Sequence, residues 1–219
     1  MEKRRFRDRT EAGQLLASRL AAYAHRADVL VLALPRGGVP VAFEVARALP
    51  APLDVMIVRK LGVPGHSELA LGAIASGGTR VLNEEVVRSL GIPESIISQV
   101  TVREQYELER RERLYRGGRP AYVVRGRTTI LIDDGMATGA TMRAAVIAVR
   151  QQQPARVVIA IPVAAPATCE ELAALVDELV CISQPEAFLA VGLWYDHFTQ
   201  TTDEEVRDLL VRATEAFPL

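Results

Sequence analysis

The chain has 219 residues, with 26 lysines and arginines against 27 aspartates and glutamates, which gives a formal net charge of −1. A hydrophobic fraction of 49% with so little net charge excludes disorder as the main state, and the charge balance argues against a broad electrostatic surface for nucleic acid or an anionic membrane. Two cysteines are too few for a disulfide framework, and the charged first residues lead into no apolar segment of a signal peptide. We therefore expect a cytoplasmic protein that folds as a single domain over residues 1–219.

The apolar segments predict a parallel α/β fold. A helix is expected first, over residues 8–24, with Asp8 or Thr10 as its N-cap. Short runs of Val, Ile and Leu without period-2 alternation then indicate strands covered on both faces, at residues 29–34, 53–58, 128–132, 156–161 and 178–182. Further helical patterns lie at residues 39–49, 140–151, 167–176 and 202–214. The alternation predicts a Rossmann-like architecture, a mainly parallel twisted sheet with helices on both faces, whose core spans about residues 9–182.

Two segments interrupt the alternation of strands and helices. Residues 59–82 are rich in glycine, which predicts a mobile loop followed by a short hairpin-like excursion. Residues 93–116 form an inserted, strongly charged helix, which we expect to expose a solvated face.

The most informative stretch follows the strand at residues 128–132. Two carboxylates, Asp133 and Asp134, end that strand, and a run of small residues with two glycines and two threonines then opens a helix. Ligands bind at the carboxyl ends of parallel strands, and a helix N-terminus attracts anions, so we expect a phosphate over residues 135–141. The carboxylates would then hold something beside the phosphate, either sugar hydroxyls or a magnesium ion. The spacing excludes a P-loop and a dinucleotide-binding motif, and leaves a capped turn without ligand as the alternative.

This stretch resembles the ribosyl-phosphate-binding signature of type I phosphoribosyltransferases: apolar residues, an acidic pair, three variable positions and Thr-Gly-x-Thr. The resemblance implies that Asp133 and Asp134 contact the ribose hydroxyls of phosphoribosyl pyrophosphate. It also implies that the 5′-phosphate lies on the loop formed by Ala137, Thr138, Gly139, Ala140 and Thr141. Enzymes of the family that act on hypoxanthine have an aspartate at the position of Ala137, so a general acid or base is expected elsewhere in this chain.

Two further groups of residues suit a second anion at the same edge of the sheet. Arg36, Gly37 and Gly38 follow the first strand and resemble the pyrophosphate-binding loop of the same family, with an ordinary tight turn as the alternative. Arg59 and Lys60 are expected at the end of the second strand, where two cations stabilise a leaving pyrophosphate.

The glycine-rich segment at residues 62–72 is similar to the mobile loop that closes over the site in many type I enzymes. It contains two titratable side chains, His66 and Glu68, which are candidates for acid–base chemistry together with the cations Arg59 and Lys60. An exposed histidine and glutamate without a catalytic role is the alternative.

Aromatic residues concentrate near the end of the chain. Trp194, Tyr195, Asp196 and Phe198 offer flat apolar surface and polar groups that suit a base. In the type I family a variable hood receives the base, and we expect it at about residues 183–200. The alternative is that these rings pack in the core.

Together these features predict a phosphoribosyltransferase that transfers the ribosyl 5-phosphate group from phosphoribosyl pyrophosphate to a nitrogenous base and releases pyrophosphate. Mg²⁺ is expected with the substrate, Asp133 and Asp134 being its candidate protein ligands. No nucleic-acid or membrane partner is expected, and the long charged helix and similar enzymes suggest a homodimer. The alternative is a non-catalytic regulatory protein that binds phosphoribosyl pyrophosphate or a nucleotide. The sequence does not identify the base.

Overall fold

The computed structural model describes residues 5–216, with the backbone alone at residues 66–68. The strands are β1 (Val29–Ala33), β2 (Leu53–Val55), β3 (Val58–Val63), β4 (His66–Ala75), β5 (Thr79–Leu82), β6 (Thr128–Ile132), β7 (Arg156–Val163) and β8 (Glu178–Ser183). The helices are α1 (Arg9–Arg19), α2 (Gly38–Ala48), α3 (Glu84–Ser89), α4 (Glu94–Arg116), α5 (Ala140–Gln151), α6 (Pro166–Ala173) and α7 (Asp203–Ala216).

Five strands form a parallel sheet in the order β2-β1-β6-β7-β8. Alternate residues of β1 belong to two different cores: Val29 and Val31 pack with α1 and α2, whereas Leu30 and Leu32 pack with α5 and α6. The sheet therefore has helices on both faces, and the predicted α/β architecture is confirmed. All five residues of β6 are buried, as expected for a strand covered on both sides.

The glycine-rich segment differs from the prediction. It forms a second, antiparallel sheet of three strands, β3-β4-β5, instead of a loop with a short hairpin. Gly65 forms the turn between β3 and β4 with a φ of +79°, and Gly72 lets β5 approach closely, because a Cβ there would lie 2.0 Å from the carbonyl oxygen of Val81. The glycines permit close strand pairing here, which glycine content alone does not distinguish from a mobile loop.

The second predicted strand is also shorter than expected, and this moves two candidate residues. β2 ends at Val55, and the chain then enters the second sheet, so that Arg59 and Lys60 lie within β3. The prediction that they follow directly from the end of a strand of the parallel sheet is wrong.

The inserted helix α4 begins one residue later than predicted and ends at the predicted residue. It has a buried face as well as the expected solvated one. It buries Ile97, Leu108 and Tyr115, and it ends at Gly117, whose φ is +58°. Arg116 at its last position pairs with Asp54 of β2. Within residues 5–216 no helix combines the length and apolar character needed to cross a bilayer.

Candidate active site

The acidic pair follows β6 at the carboxyl edge of the parallel sheet. The backbone N–H of Asp134 donates to Oδ1 of Asp133 at 2.9 Å, and Nε of Arg9 donates to Oδ2 of Asp134 at 2.8 Å. Burial raises the pKa of the Asp133 carboxyl well above its ordinary value, and the neighbouring charge of Asp134 raises it further. Burial also raises the pKa of Asp134, while the Arg9 guanidinium opposes that shift.

The loop after β1 lies directly against this pair. A Cβ at Gly37 would lie 2.0 Å from Oδ2 of Asp134, and a Cβ at Gly38 would lie 2.7 Å from the carbonyl oxygen of Ile132. The predicted pyrophosphate loop therefore meets the acidic pair at the end of β6, and glycine is required where they touch. Arg36 is partly exposed, with its Nη1 3.7 Å from Oδ1 of Asp203 at the start of α7.

The predicted phosphate loop opens α5. Gly139 is the N-cap residue of this helix with a φ of +66°, and its missing side chain leaves space for Thr168 of α6, whose Cγ2 would lie 2.6 Å from a Cβ. The hydroxyl of Thr168 donates to the carbonyl oxygen of Ala137 at 2.5 Å. This hydrogen bond engages the carbonyl oxygen of the loop, while the first N–H groups of α5 have no partner within the helix and suit an anion.

An open cleft of about 330 Å³ lies between these loops and the end of the chain. It brings together residues that the sequence predicted on three separate segments, namely Asp134, the Arg36–Gly37 pair and Phe198. It also includes Gln200, at the end of the predicted hood, and two residues outside the predicted site, Arg9 and Thr201.

The aromatic segment divides between the core and the cleft. Trp194 is 6% exposed and Tyr195 is 2% exposed, and both pack with Phe6, so their rings belong to the core and the prediction that they contact a base is corrected. The Tyr195 hydroxyl donates to the carbonyl oxygen of Asp134 at 2.6 Å, which holds the backbone of the acidic pair. Asp196 is exposed and pairs with Arg5 at 3.3 Å. Of the predicted base-binding residues, Phe198 lines the cleft.

The four candidate catalytic residues lie in the second sheet. Arg59 pairs with Glu104 of α4 through Nη2 at 2.5 Å and Nε at 2.9 Å, and Lys60 is exposed. The side chains of His66 and Glu68 lie outside the described part of the chain, and their backbone belongs to β4. The catalytic roles of these residues stay predictions.

The acidic pair also fits the expected metal ion in part. Among the residues described, no group of three or more His, Cys, Asp or Glu side chains is placed to hold a metal. Mg²⁺ is commonly held by one or two carboxylates together with substrate phosphates and water, and Asp133 and Asp134 supply that number.

Arg9 contacts the acidic pair directly, and no sequence motif predicts it. It is the first residue of α1, which begins after the predicted cap Asp8, whose side chain accepts from the N–H of Glu11. Its partner Asp134 is 125 positions away along the chain. A pairing this distant leaves no local pattern in the sequence, and only the fold reveals it.

Comparison with known proteins places the chain in a family. The family model for a phosphoribosyl transferase domain matches residues 9–195. The chain belongs to the phosphoribosyl transferase family. The matched region includes the acidic pair, the phosphate loop and the loop after β1, and it ends before Phe198.

Relatives of known sequence and structure agree with this family. Two curated proteins of Mycobacterium tuberculosis, from strains CDC 1551 and H37Rv, are each 48% identical to the chain over 212 residues, and their names provisionally assign them as phosphoribosyl transferases. The match covers 97% of this chain and 48% of each relative, so the chain spans about half the length of these proteins. The protein TT1426 from Thermus thermophilus superimposes with a TM-score of 0.84 at 46% identity, covering 95% of this chain and 98% of that one. AQ2163 from Aquifex aeolicus shares the fold, with a TM-score of 0.51 at 12% identity, covering 84% and 78% of the two chains.

Proposed function

We propose that this chain is a type I phosphoribosyltransferase that transfers the ribosyl 5-phosphate group of phosphoribosyl pyrophosphate to a nitrogenous base. The observation that carries the proposal is the contact between the predicted pyrophosphate loop after β1 and the acidic pair after β6. The loop after β1 and the acidic pair after β6 approach so closely at Gly37 that a ligand at Asp134 also meets Arg36.

Each loop has a distinct part in the proposed reaction. Asp133 and Asp134 hold the ribose hydroxyls, the loop at residues 137–141 and the N-terminus of α5 hold the 5′-phosphate, and Arg36 with its two glycines holds the pyrophosphate. The bond between the anomeric carbon and the pyrophosphate oxygen breaks, a bond to a base nitrogen forms, and the base loses a proton. Bound Mg²⁺ would supply further neutralisation of the pyrophosphate charge.

Arg59 and Lys60 are proposed to assist the departure of pyrophosphate. Their position in β3 requires that this strand lie near the leaving group when substrate is bound. The hydrogen bonds of Arg59 to Glu104 would then be exchanged for bonds to the pyrophosphate.

The test is release of pyrophosphate from phosphoribosyl pyrophosphate in the presence of Mg²⁺ and each of a panel of purine, pyrimidine and pyridine bases. We expect turnover with at least one base, and a loss of at least about a hundredfold in kcat/KM for Asp134→Asn, because a single strong active-site interaction contributes about 3 kcal/mol. Asp208→Asn, at an exposed position of α7, is the matched control and should retain activity.

Two results would contradict the proposal in different ways. Binding of phosphoribosyl pyrophosphate without turnover on any base would favour the regulatory, non-catalytic alternative. Failure of both phosphoribosyl pyrophosphate and ribose 5-phosphate to bind would reject the proposed site itself.

A further inference from the structure

We propose that Arg9, backed by the ring of Phe198, forms the acceptor subsite of the cleft and selects planar bases that present an oxygen atom, a carbonyl or a carboxylate, to its guanidinium. This inference rests on the proposed function, because it assigns the substrate class of the same site. It also places selectivity on residues at the two ends of the chain, one of which lies beyond the family match.

The geometry of Arg9 is set by three partners. Its Nε donates to Asp134 at 2.8 Å, its Nη1 donates to the carbonyl oxygen of Thr199 at 2.7 Å, and its Cζ lies 4.0 Å from the centroid of the Phe198 ring. The side chain is only 12% exposed, although arginine side chains are normally well solvated. Arg9 therefore presents a fixed, flat guanidinium to the cleft that it lines.

Phe198 is 37% exposed, and neighbouring groups already cover part of its ring. Arg9 covers its ring, the Tyr195 ring lies 5.0 Å away at 30°, and a Cβ at Gly192 would lie 2.8 Å from its Cδ1. A base that enters the cleft meets the N–H edge of the guanidinium together with the remaining exposed part of Phe198. Nucleic-acid bases stack on aromatic side chains, so the exposed part of the Phe198 ring can contact the face of the base.

The hydrogen-bonding character of Arg9 determines which edge of a base it accepts. A guanidinium carries only N–H donors and never accepts a hydrogen bond. Two of its N–H groups are used by Asp134 and Thr199, and within residues 5–216 the others have no hydrogen-bond partner in the protein. These N–H groups can donate to a carbonyl or carboxylate oxygen of the base. An exocyclic amino group at the same place is itself a donor, so its N–H bonds would face those of the guanidinium without forming a hydrogen bond.

Equilibrium binding separates this subsite from the phosphate site. The affinity of ribose 5-phosphate, measured by calorimetry, reports the phosphate and ribose contacts alone. The gain in affinity from adding a base reports the acceptor subsite. Two matched pairs of nucleoside 5′-monophosphates isolate the oxygen preference. One pair is inosine 5′-monophosphate against adenosine 5′-monophosphate, and the other is uridine 5′-monophosphate against cytidine 5′-monophosphate. We expect the oxo member to bind at least about tenfold more tightly in one pair or both.

Variants then test the residues. Arg9→Met should reduce the oxo-to-amino affinity ratio to about one, and this ratio cancels any effect of the variant on Asp134 and the ribose. Phe198→Leu keeps the pair between Arg9 and Asp134 but removes the ring that backs the guanidinium, so the affinity gain from a base should fall by at least about threefold with ribose 5-phosphate binding unchanged. Arg110→Met, at an exposed arginine of α4, is the control and should bind all ligands as wild type does.

The outcomes are distinguishable. If ribose 5-phosphate does not bind, the proposed function fails. If it binds but the base adds no affinity, if neither pair shows an oxo preference, or if Arg9→Met leaves the ratio intact, the acceptor subsite is rejected while the phosphate site stands. If Arg9→Met does not fold, the acceptor subsite is still tested by the oxo-to-amino affinity ratios of the wild-type protein and by the loss of base affinity in Phe198→Leu.

Discussion

Gly37 is the residue at which the two halves of the site touch. Its φ of −60° is accessible to any amino acid, so the need for glycine is steric: a Cβ would lie 2.0 Å from Oδ2 of Asp134. Gly37→Ala must displace that carboxylate from Arg9. We expect the free energy of unfolding to fall by about 1–3 kcal/mol, the usual cost of overpacking, and the Kd for ribose 5-phosphate to rise roughly tenfold.

A double-mutant cycle distinguishes this clash from a general loss of backbone freedom. In Gly37→Ala combined with Asp134→Ala the added Cβ has space, so the two stability losses should be clearly less than additive. Gly62→Ala, where a Cβ meets nothing within 4 Å, is the control for stability in chemical denaturation. Strict additivity in the cycle would contradict the contact as described.

At the scale of elements, α6 supports the phosphate loop of α5. Thr168 contributes both its hydroxyl, bonded to Ala137, and its methyl group, packed under Gly139. Thr168→Val removes only the hydroxyl, since the two side chains have nearly the same shape. We expect the Kd for ribose 5-phosphate to rise about two- to tenfold, which corresponds to the ~0.5–1.5 kcal/mol net value of a hydrogen bond.

Thr168→Ser provides the complementary variant, because it keeps the hydroxyl and loses the methyl group. It should bind ribose 5-phosphate more tightly than Thr168→Val while being less stable than wild type in denaturant. Equal affinity of Thr168→Val and wild type would show that the loop does not depend on this bond.

The central strands β1, β6 and β7 are predictable from sequence because they are covered on both faces and read as apolar runs. β6 and α5 occur at their predicted bounds for this reason, and a helix period without glycine or proline defines α5. The second sheet was not predictable in the same way. In β3 and β4 the glycines sit at a turn, at a bulge and at a close strand approach, so the same residues are compatible with a flexible loop.

The site follows the same division between local and distant information. Three parts of the site are continuous in sequence, so the sequence alone identifies them: the acidic pair, the phosphate loop and the loop after β1. Whether an aromatic residue packs in the core or lines the cleft depends on neighbours far along the chain. Tyr195 lies against Phe6 with ring centroids 5.5 Å apart, and Phe198 lies against Arg9; neither partner is near in sequence.

At the scale of the whole molecule, α4 joins the second sheet to the parallel sheet. At one point of this helix Arg59 of β3 pairs with Glu104, and at its end Arg116 pairs with Asp54 of β2. The second pair is the more buried, with side-chain exposures of 10% for Arg116 and 7% for Asp54. The buried ion pair therefore attaches α4 to β2, the strand after which the chain enters the second sheet.

Arg116→Met should therefore destabilise the whole molecule, because it leaves the Asp54 carboxylate buried without its cation. Removing one partner of a buried pair costs about 3–5 kcal/mol, whereas an exposed pair contributes less than about 1 kcal/mol. Urea denaturation should show this loss for Arg116→Met and almost none for Arg110→Met, whose i,i+3 partner Glu107 lies on the solvated side of the same helix. Arg116→Lys keeps the charge but loses the guanidinium, whose Nε contacts both oxygens of Asp54 while Nη1 and Nη2 donate to Glu112 and to the carbonyl oxygen of Val55; it should lie between the two. If Arg116→Met and Arg110→Met have the same midpoint and slope, α4 is held by its apolar residues alone and the buried pair contributes nothing to the attachment.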